Sequence, residues 1–204
     1  MTRYAVFMEP AGALRDFVVD QKRRVEECLP GQTYCGHPPH GTLIVASFQC
    51  GPDLESALRD AVRDIQAFDV RTTGMHPFYD DAMASGGHTV GVKAGLSPSL
   101  QALQFAVAEA LHPFLVAAEN DPAQAIDWTG PFRESLERYG FPFVGPHWIP
   151  HFSIASLKVP RGDSFLCELL ALPAEFEFRL DQVSLWRVEG DSHEKIGSYP
   201  LQAE

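Results

Sequence analysis

Pro39-His40-Gly41-Thr42-Leu43 and Pro150-His151-Phe152-Ser153-Ile154 share the form Pro-His-x-Thr/Ser-aliphatic and lie about half a chain apart in 204 residues. Each runs into an apolar segment, Ile44-Val45-Ala46-Ser47-Phe48 after the first and Ala155-Ser156-Leu157 after the second. On a strand, alternate side chains point to the same face. His40 therefore shares a face with Thr42, and His151 with Ser153. Phe152 turns the other way, towards a core. Proline holds the residue before it in extended conformation and fixes where each strand begins.

Working outward from the motifs, residues 4–8 read as a first strand closed by Pro10. Leu14, Phe17, Val18, Val25, Cys28 and Leu29 then recur at helical spacing, and Pro30-Gly31 ends that helix. Asp53 is positioned to cap a second helix that carries Leu54, Leu58, Val62, Ile65 and Phe68. Residues 68–73, 75–78 and 88–93 read as separate extended segments. Ser97-Pro98 opens a third helix with Pro at its first position. The polar stretch 119–129 is the candidate connector between halves. A short helix stopped by Gly140 follows, then an aromatic- and Pro-rich loop to the second motif. Asp163 caps a further helix, and residues 176–180, 182–188 and 194–199 finish the chain as strands, with a hairpin turn at 189–192. Mixed strands and helices with hairpin neighbours predict an α+β fold. The repeat of the motif predicts two pseudo-symmetric lobes of antiparallel sheet with flanking helices around a central cleft. Together they form one bilobal unit over residues 1–204, divided near 119–129.

Apolar residues make up 45% of the chain and charged residues 21%, as in an ordinary globular protein. A net charge of −11 argues against an extended surface for long nucleic acid. It leaves room for a small anion in a locally positive pocket. The four cysteines, Cys28, Cys35, Cys50 and Cys167, form neither a C-x-x-C pair nor a zinc spacing. They read as reduced thiols of a cytoplasmic protein, several of them simply packed. The most apolar stretch, 105–118, carries Glu109, His112 and Pro113, so no membrane span is expected.

Histidine titrates nearest neutral pH, so a neutral and a protonated imidazole make a general base and a general acid. Cleavage of a phosphodiester uses both, one to activate the attacking oxygen and one to protonate the leaving oxygen. Hydroxyls such as those of Thr42 and Ser153 can donate to the non-bridging oxygens. Two motif strands side by side would set the histidines on opposite sides of one phosphate, as in-line displacement needs.

The motifs and their spacing resemble the two-histidine phosphoesterase superfamily, which includes the RNA 2′,3′-cyclic phosphodiesterases historically called 2′-5′ RNA ligases. The opening strand Arg3-Tyr4-Ala5-Val6-Phe7, the closing strand Val183-Ser184-Leu185-Trp186-Arg187 and the element order are also similar. The resemblance implies a hydrolase acting on a cyclic or 2′-linked phosphodiester of a nucleotide or RNA end. It makes His40 and His151 the acid/base pair and Thr42 and Ser153 the phosphate donors. No cofactor, metal or protein partner is implied. Two other readings of the same residues are a nucleotide-binding module without turnover and a metal-dependent hydrolase.

Around the motifs, Tyr34, Phe78, Tyr79 and Trp148 are candidate stacking partners for a base, and Lys93 and Arg187 candidate charges for the phosphate. Trp186 and Phe152 are further aromatics near the motifs or on cleft strands, but alternation turns Phe152 to its own core and Lys158 to the face opposite His151. The pairs His37/His40 and His147/His151 have metal-like spacing, but the intervening prolines forbid a helical ligand pair. His76, His88, His112 and His193 are expected at the surface or in local bonds.

Overall fold

The computed structural model describes residues 2–84, 86–117, 121–190 and 192–203. The described residues form, in chain order, β1 (Arg3–Met8), α1 (Gly12–Cys28), β2 (Gly41–Ala46), α2 (Pro52–Val62), β3 (Phe68–Asp81), β4 (Gly87–Ala94) and α3 (Pro98–Leu111). Then follow α4 (Pro131–Tyr139), β5 (His151–Leu157), α5 (Ser164–Leu170), β6 (Glu177–Leu180), β7 (Gln182–Glu189) and β8 (Ser192–Pro200).

Local chemistry sets most helix ends. The Ser97 side chain accepts from Leu100 N–H at 3.2 Å, and Pro98 follows at the first helical position. Asp163 accepts from the N–H groups of Phe165 and Leu166 and starts α5. Gly140 stops α4 in the left-handed conformation, φ 67°. Asp53 does not cap α2. Gly51 takes that place, Pro52 opens the helix, and Asp53 lies in the first turn as a favourable charge. Phe68 leaves α2 for β3. The separate segments expected over 68–78 are one strand of 14 residues, because Gly74 at φ 118° absorbs a register shift without ending it. Pro77 is tolerated where β6 no longer pairs with β3, so its missing N–H faces no partner strand.

All strand pairs are antiparallel, in the order β6-β3-β4-β5-β2-β1-β7-β8. The fold is α+β with an open sheet. Its two four-stranded halves meet where β2 touches β5, at one register pair, Gly41 with Phe152. The division expected near 119–129 is corrected by this order. β1 and β2 pair with β7 and β8, so each half-sheet draws strands from both sides of that stretch. Residues 118–120 fall outside the described part. Beyond them Asp121, 4% exposed, pairs with Arg3 at 3.6 Å and pins the segment to β1. At the other expected turn, Asp191 is also outside the described residues, and β7 and β8 flank it as a hairpin.

The helices cover one face. Leu14, Val18 and Val25 of α1 and Leu54, Leu58 and Val62 of α2 are buried there. So are Leu100, Leu103 and Val107 of α3 and Leu166 and Leu169 of α5, all against Val6, Ile44, Val92, Phe152 and Ile154 of the sheet. Cys28 faces solvent instead of this core. On the opposite face a small cluster of Ala5, Phe7 and Val188 packs with Val45 and Trp186. No described helix is long and apolar enough to cross a membrane.

Two glycines let three strands close at the motifs. A Cβ on Gly91 would sit 2.8 Å from Phe152 O, and one on Gly41 would sit 2.5 Å from Met8 Cε. The obstacle at Gly91 is backbone and cannot yield. Gly91→Ala therefore lowers the unfolding free energy by about 1–3 kcal/mol in urea denaturation. Gly95→Ala, whose Cβ meets nothing closer than 3.6 Å, changes it by less than about 0.5 kcal/mol.

Candidate active site

The pair Gly41–Phe152 fixes the relation between the motifs. Carried one residue either way, antiparallel register sets His40 across from Ser153 and Thr42 across from His151. Gly41 and Phe152 are buried on the helix side, so the other four side chains share the opposite face, and all four are partly exposed. Cross-strand neighbours of this kind have Cβ atoms about 4.5–5.5 Å apart. The result is a rectangle of two imidazoles and two hydroxyls, with like groups on the diagonals.

Both imidazoles are held in the same way. His40 Nδ1 lies 2.7 Å from Pro38 O, and His151 Nδ1 lies 2.8 Å from Ile149 O. In each motif the carbonyl belongs to the residue two before the histidine, and a proline stands between. A carbonyl only accepts, so Nδ1 carries the proton and donates, and Nε2 is left as the basic nitrogen of each neutral ring.

The surroundings differ. His40 stacks on Phe7 of β1, with centroids 3.8 Å apart and planes at 16°. His193 of β8 is 5.7 Å and His37 6.3 Å from it, and those two rings are 4.2 Å apart. Burial pushes the His40 pKa down to about 3. The Pro38 carbonyl works against this, while His193, Lys22 and His37 add to it. His151 packs against Phe78 at 4.4 Å, with His76 beyond at 4.8 Å from Phe78. Its pKa is also lowered by burial, but the Ile149 carbonyl and the Asp81 carboxylate oppose that, and His76 reinforces it. Both rings are thus biased to the neutral form, and a carboxylate favours protonation only at His151.

Of the other residues singled out from sequence, Phe78 and Lys93 lie at the site. Lys93 is the register partner of His151 on β4. Tyr34 lies on the approach to the first motif, its ring 5.2 Å from His37, and burial raises its pKa. Trp148 is 4% exposed within the main core and has no surface to offer a ligand. Tyr79 alternates away from Phe78 and packs on His88 and under the Arg161 guanidinium. Arg187 alternates away from Trp186 and pairs with Glu194. Trp186 itself is 6.1 Å from Phe7, on the site face. His147 turns from His151 to Pro142 O and Ser135. Among the described residues no group of three or more His, Cys, Asp or Glu side chains is placed to hold a metal ion.

Phe7, His76 and His193 were not expected here. They arrive through β1, β3 and β8, and nothing in the local sequence joins those strands to the motifs. Lys22 was also missed. It had a signal, a charge on the stripe Leu14-Val18-Lys22-Val25 that α1 turns to the core.

A bilobed antiparallel sheet carrying paired His-x-Thr/Ser strands on its open face is the architecture of a two-histidine phosphoesterase. The model of the 2′-5′ RNA ligase superfamily matches residues 10–192, and the chain belongs to that family. No curated protein sequence matches it. Among solved structures, TT0787 of Thermus thermophilus is similar at 17% identity over 99% of each chain, with a TM-score of 0.65. E. coli LigT in apo form is similar at 11% identity over 98% of each chain, with a TM-score of 0.55, and its complex with 3′-AMP gives 0.51. At these identities the likeness is one of fold.

The electrostatics make a pH prediction. A pKa of about 3 in the folded chain, against an ordinary 6.5, means the unfolded chain binds the extra proton first as pH falls. The stability contributed by neutral His40 is whole above pH 6.5 and is lost as pH drops towards 3. An NMR titration should show His40 as the Nδ1–H tautomer at pH 5. His40→Gln should lose less stability than the native chain between pH 6.5 and 4.

Proposed function

We propose that this chain is a phosphodiesterase that opens or hydrolyses a 2′,3′-cyclic or 2′-linked phosphodiester of a nucleotide or RNA end, using two histidines and no metal. The observation that carries this reading is the repeated anchor, an Nδ1–H held by the carbonyl two residues back in both motifs, with both rings on one sheet face. It leaves two Nε2 atoms to handle the two protons of the reaction.

In the proposed reaction Nε2 of one neutral imidazole takes a proton from water as the oxygen attacks phosphorus. Nε2–H of the other, protonated ring gives its proton to the departing ribose oxygen as the P–O bond breaks. The rings end with their protonation states exchanged, and bulk water restores them. Thr42 and Ser153 donate to the non-bridging oxygens, and Lys93 adds positive charge beside His151. The neighbours favour His40 as base, since Lys22 and two imidazoles disfavour its protonation, and His151 as acid, since Asp81 favours it. Family membership supports phosphodiester chemistry. The LigT complex with 3′-AMP supports a ligand of nucleotide size. The acidity of the chain, net −11, supports a small substrate over a long polyanion.

Hydrolysis of 2′,3′-cyclic nucleotides is expected in EDTA. His40→Ala and His151→Ala should each lower kcat by about 10²–10⁴, and Thr42→Ala or Ser153→Ala by about 10². Binding without turnover by the native chain, or full activity in either histidine variant, defeats the reading. A p-nitrophenyl phosphodiester, whose leaving group needs no acid, distinguishes the roles. His151→Ala should recover most of its loss on that substrate, and His40→Ala should not.

A further inference from the structure

β2 and β5 pair at one position and then part, which opens a wedge between the half-sheets. The segment before the first motif fills it. Lys158 N–H donates to Gln32 Oε1 at 2.9 Å, and Ser156 N–H donates to Thr33 O at 2.9 Å. Two residues nearer the motif, the acceptor Ile154 O has another kind of partner. The donor there is Lys22 Nζ of α1, 3.1 Å from Ile154 O and 2.5 Å from Tyr34 O.

Lys22 is costly where it stands. It is 6% exposed, and both bonds are to carbonyls rather than to a carboxylate. Burial lowers its pKa to about 8. Glu26 and Arg23 of its own helix, Cys35 and His37 of the approach segment and His40 beyond them are the titratable groups around it. A leucine would fill the same stripe of α1 without burying a charge. Its second acceptor is equally unusual. Tyr34 has φ 74°, a left-handed conformation that a bulky side chain disfavours and that persists only when its surroundings hold it. Six residues on stands His40, anchored by the carbonyl of Pro38.

We propose that Lys22 is a positioning residue of the two-histidine site, clamping the approach to the first motif against the strand of the second. This rests on the reading above that the two imidazoles act on one phosphate. The ammonium bridges the wedge from the helix side, through the main-chain carbonyls of Tyr34 and Ile154, so the spacing of the strands that carry the rings depends on it.

The test uses Lys22→Ala and Lys22→Met in the full chain, with Arg23→Ala as a control on the same helix. Both Lys22 variants should lose about 10²-fold in kcat, the cost of a misplacement near 1 Å, with KM changed far less. Arg23→Ala should keep native kcat. Lys22 lines a cavity of about 460 Å³ with Cys35, His37 and Pro39, so a small amine has a way in. Propylammonium should restore at least tenfold of the lost kcat in Lys22→Ala, and propanol should not. Native kcat in both Lys22 variants overturns the proposal. Loss without amine rescue, parallel to a loss of thermal stability, also overturns it, since the lysine is then only structural. The ring resonances of His40 and His151 give a readout that needs no turnover. Lys22→Met should shift both sets, and unchanged spectra overturn the clamp even if the chain proves to have another substrate.

Discussion

The single register pair between Gly41 and Phe152 is the constraint on which the molecule turns. A normal antiparallel seam would run for several residues and press the motif side chains against a continuous neighbour. Here contact is made once, beside both histidines, and the strands then separate. The close approach is steric in origin. Gly41 has no Cβ to crowd the His151 carbonyl, which would lie 3.2 Å from it, and on the other side of β5 Gly91 has none to strike the Phe152 carbonyl. Phe152, fully buried among the helices, fixes which way β5 faces. A one-residue slip of β5 would turn His151 and Ser153 into the core and leave His40 and Thr42 without them.

Symmetry in the backbone is combined with asymmetry in the surroundings. The two anchors are alike to 0.1 Å. The neighbours are not, because β1 and β8 bring Phe7 and His193 to one ring while β3 brings Phe78 and His76 to the other. Acid and base catalysis needs equivalent geometry and unequal proton affinity. A repeat supplies the first, and the different strands that flank each copy supply the second.

What was legible in the sequence is what local chemistry decides. Alternation placed Phe152 inward and His151 and Ser153 outward, and the caps at Ser97, Gly140 and Asp163 act as read. Non-local pairing was not legible. The polar stretch near 119–129 looked like a boundary because strand partners leave no trace in local composition, yet β1 and β2 wait for β7 and β8. The segments 68–73 and 75–78 read as separate and are one strand with an irregularity at Gly74. Tyr79, Trp148 and Arg187 are near the site in sequence or in strand order, and each turns away for a physical reason. Tyr79 and Arg187 fall on the wrong side of the alternation, and Trp148 is needed in the core. Proximity along a chain carries no information about face. His193 and Phe7 show the converse, since they reach His40 from opposite ends of the sequence.

The depressed proton affinity of both imidazoles bears directly on the proposed reaction. A site with one permanently charged ring would be ready for catalysis but would bury an ammonium-like charge beside Lys22 and Lys93. The free protein avoids that by keeping both rings neutral, at the expense of having no acid. A phosphodiester carries its own negative charge into the same space. Opposite charge at close range favours the protonated form of a nearby group, so substrate binding itself raises the proton affinity of the rings. Asp81 tips that gain towards His151, while Lys22, His37 and His193 hold it back from His40. On this argument the acid is assembled only when the anion is present. In its charged form the proposed clamp behind His40 would then serve chemistry as well as geometry, because it disfavours protonation of the base.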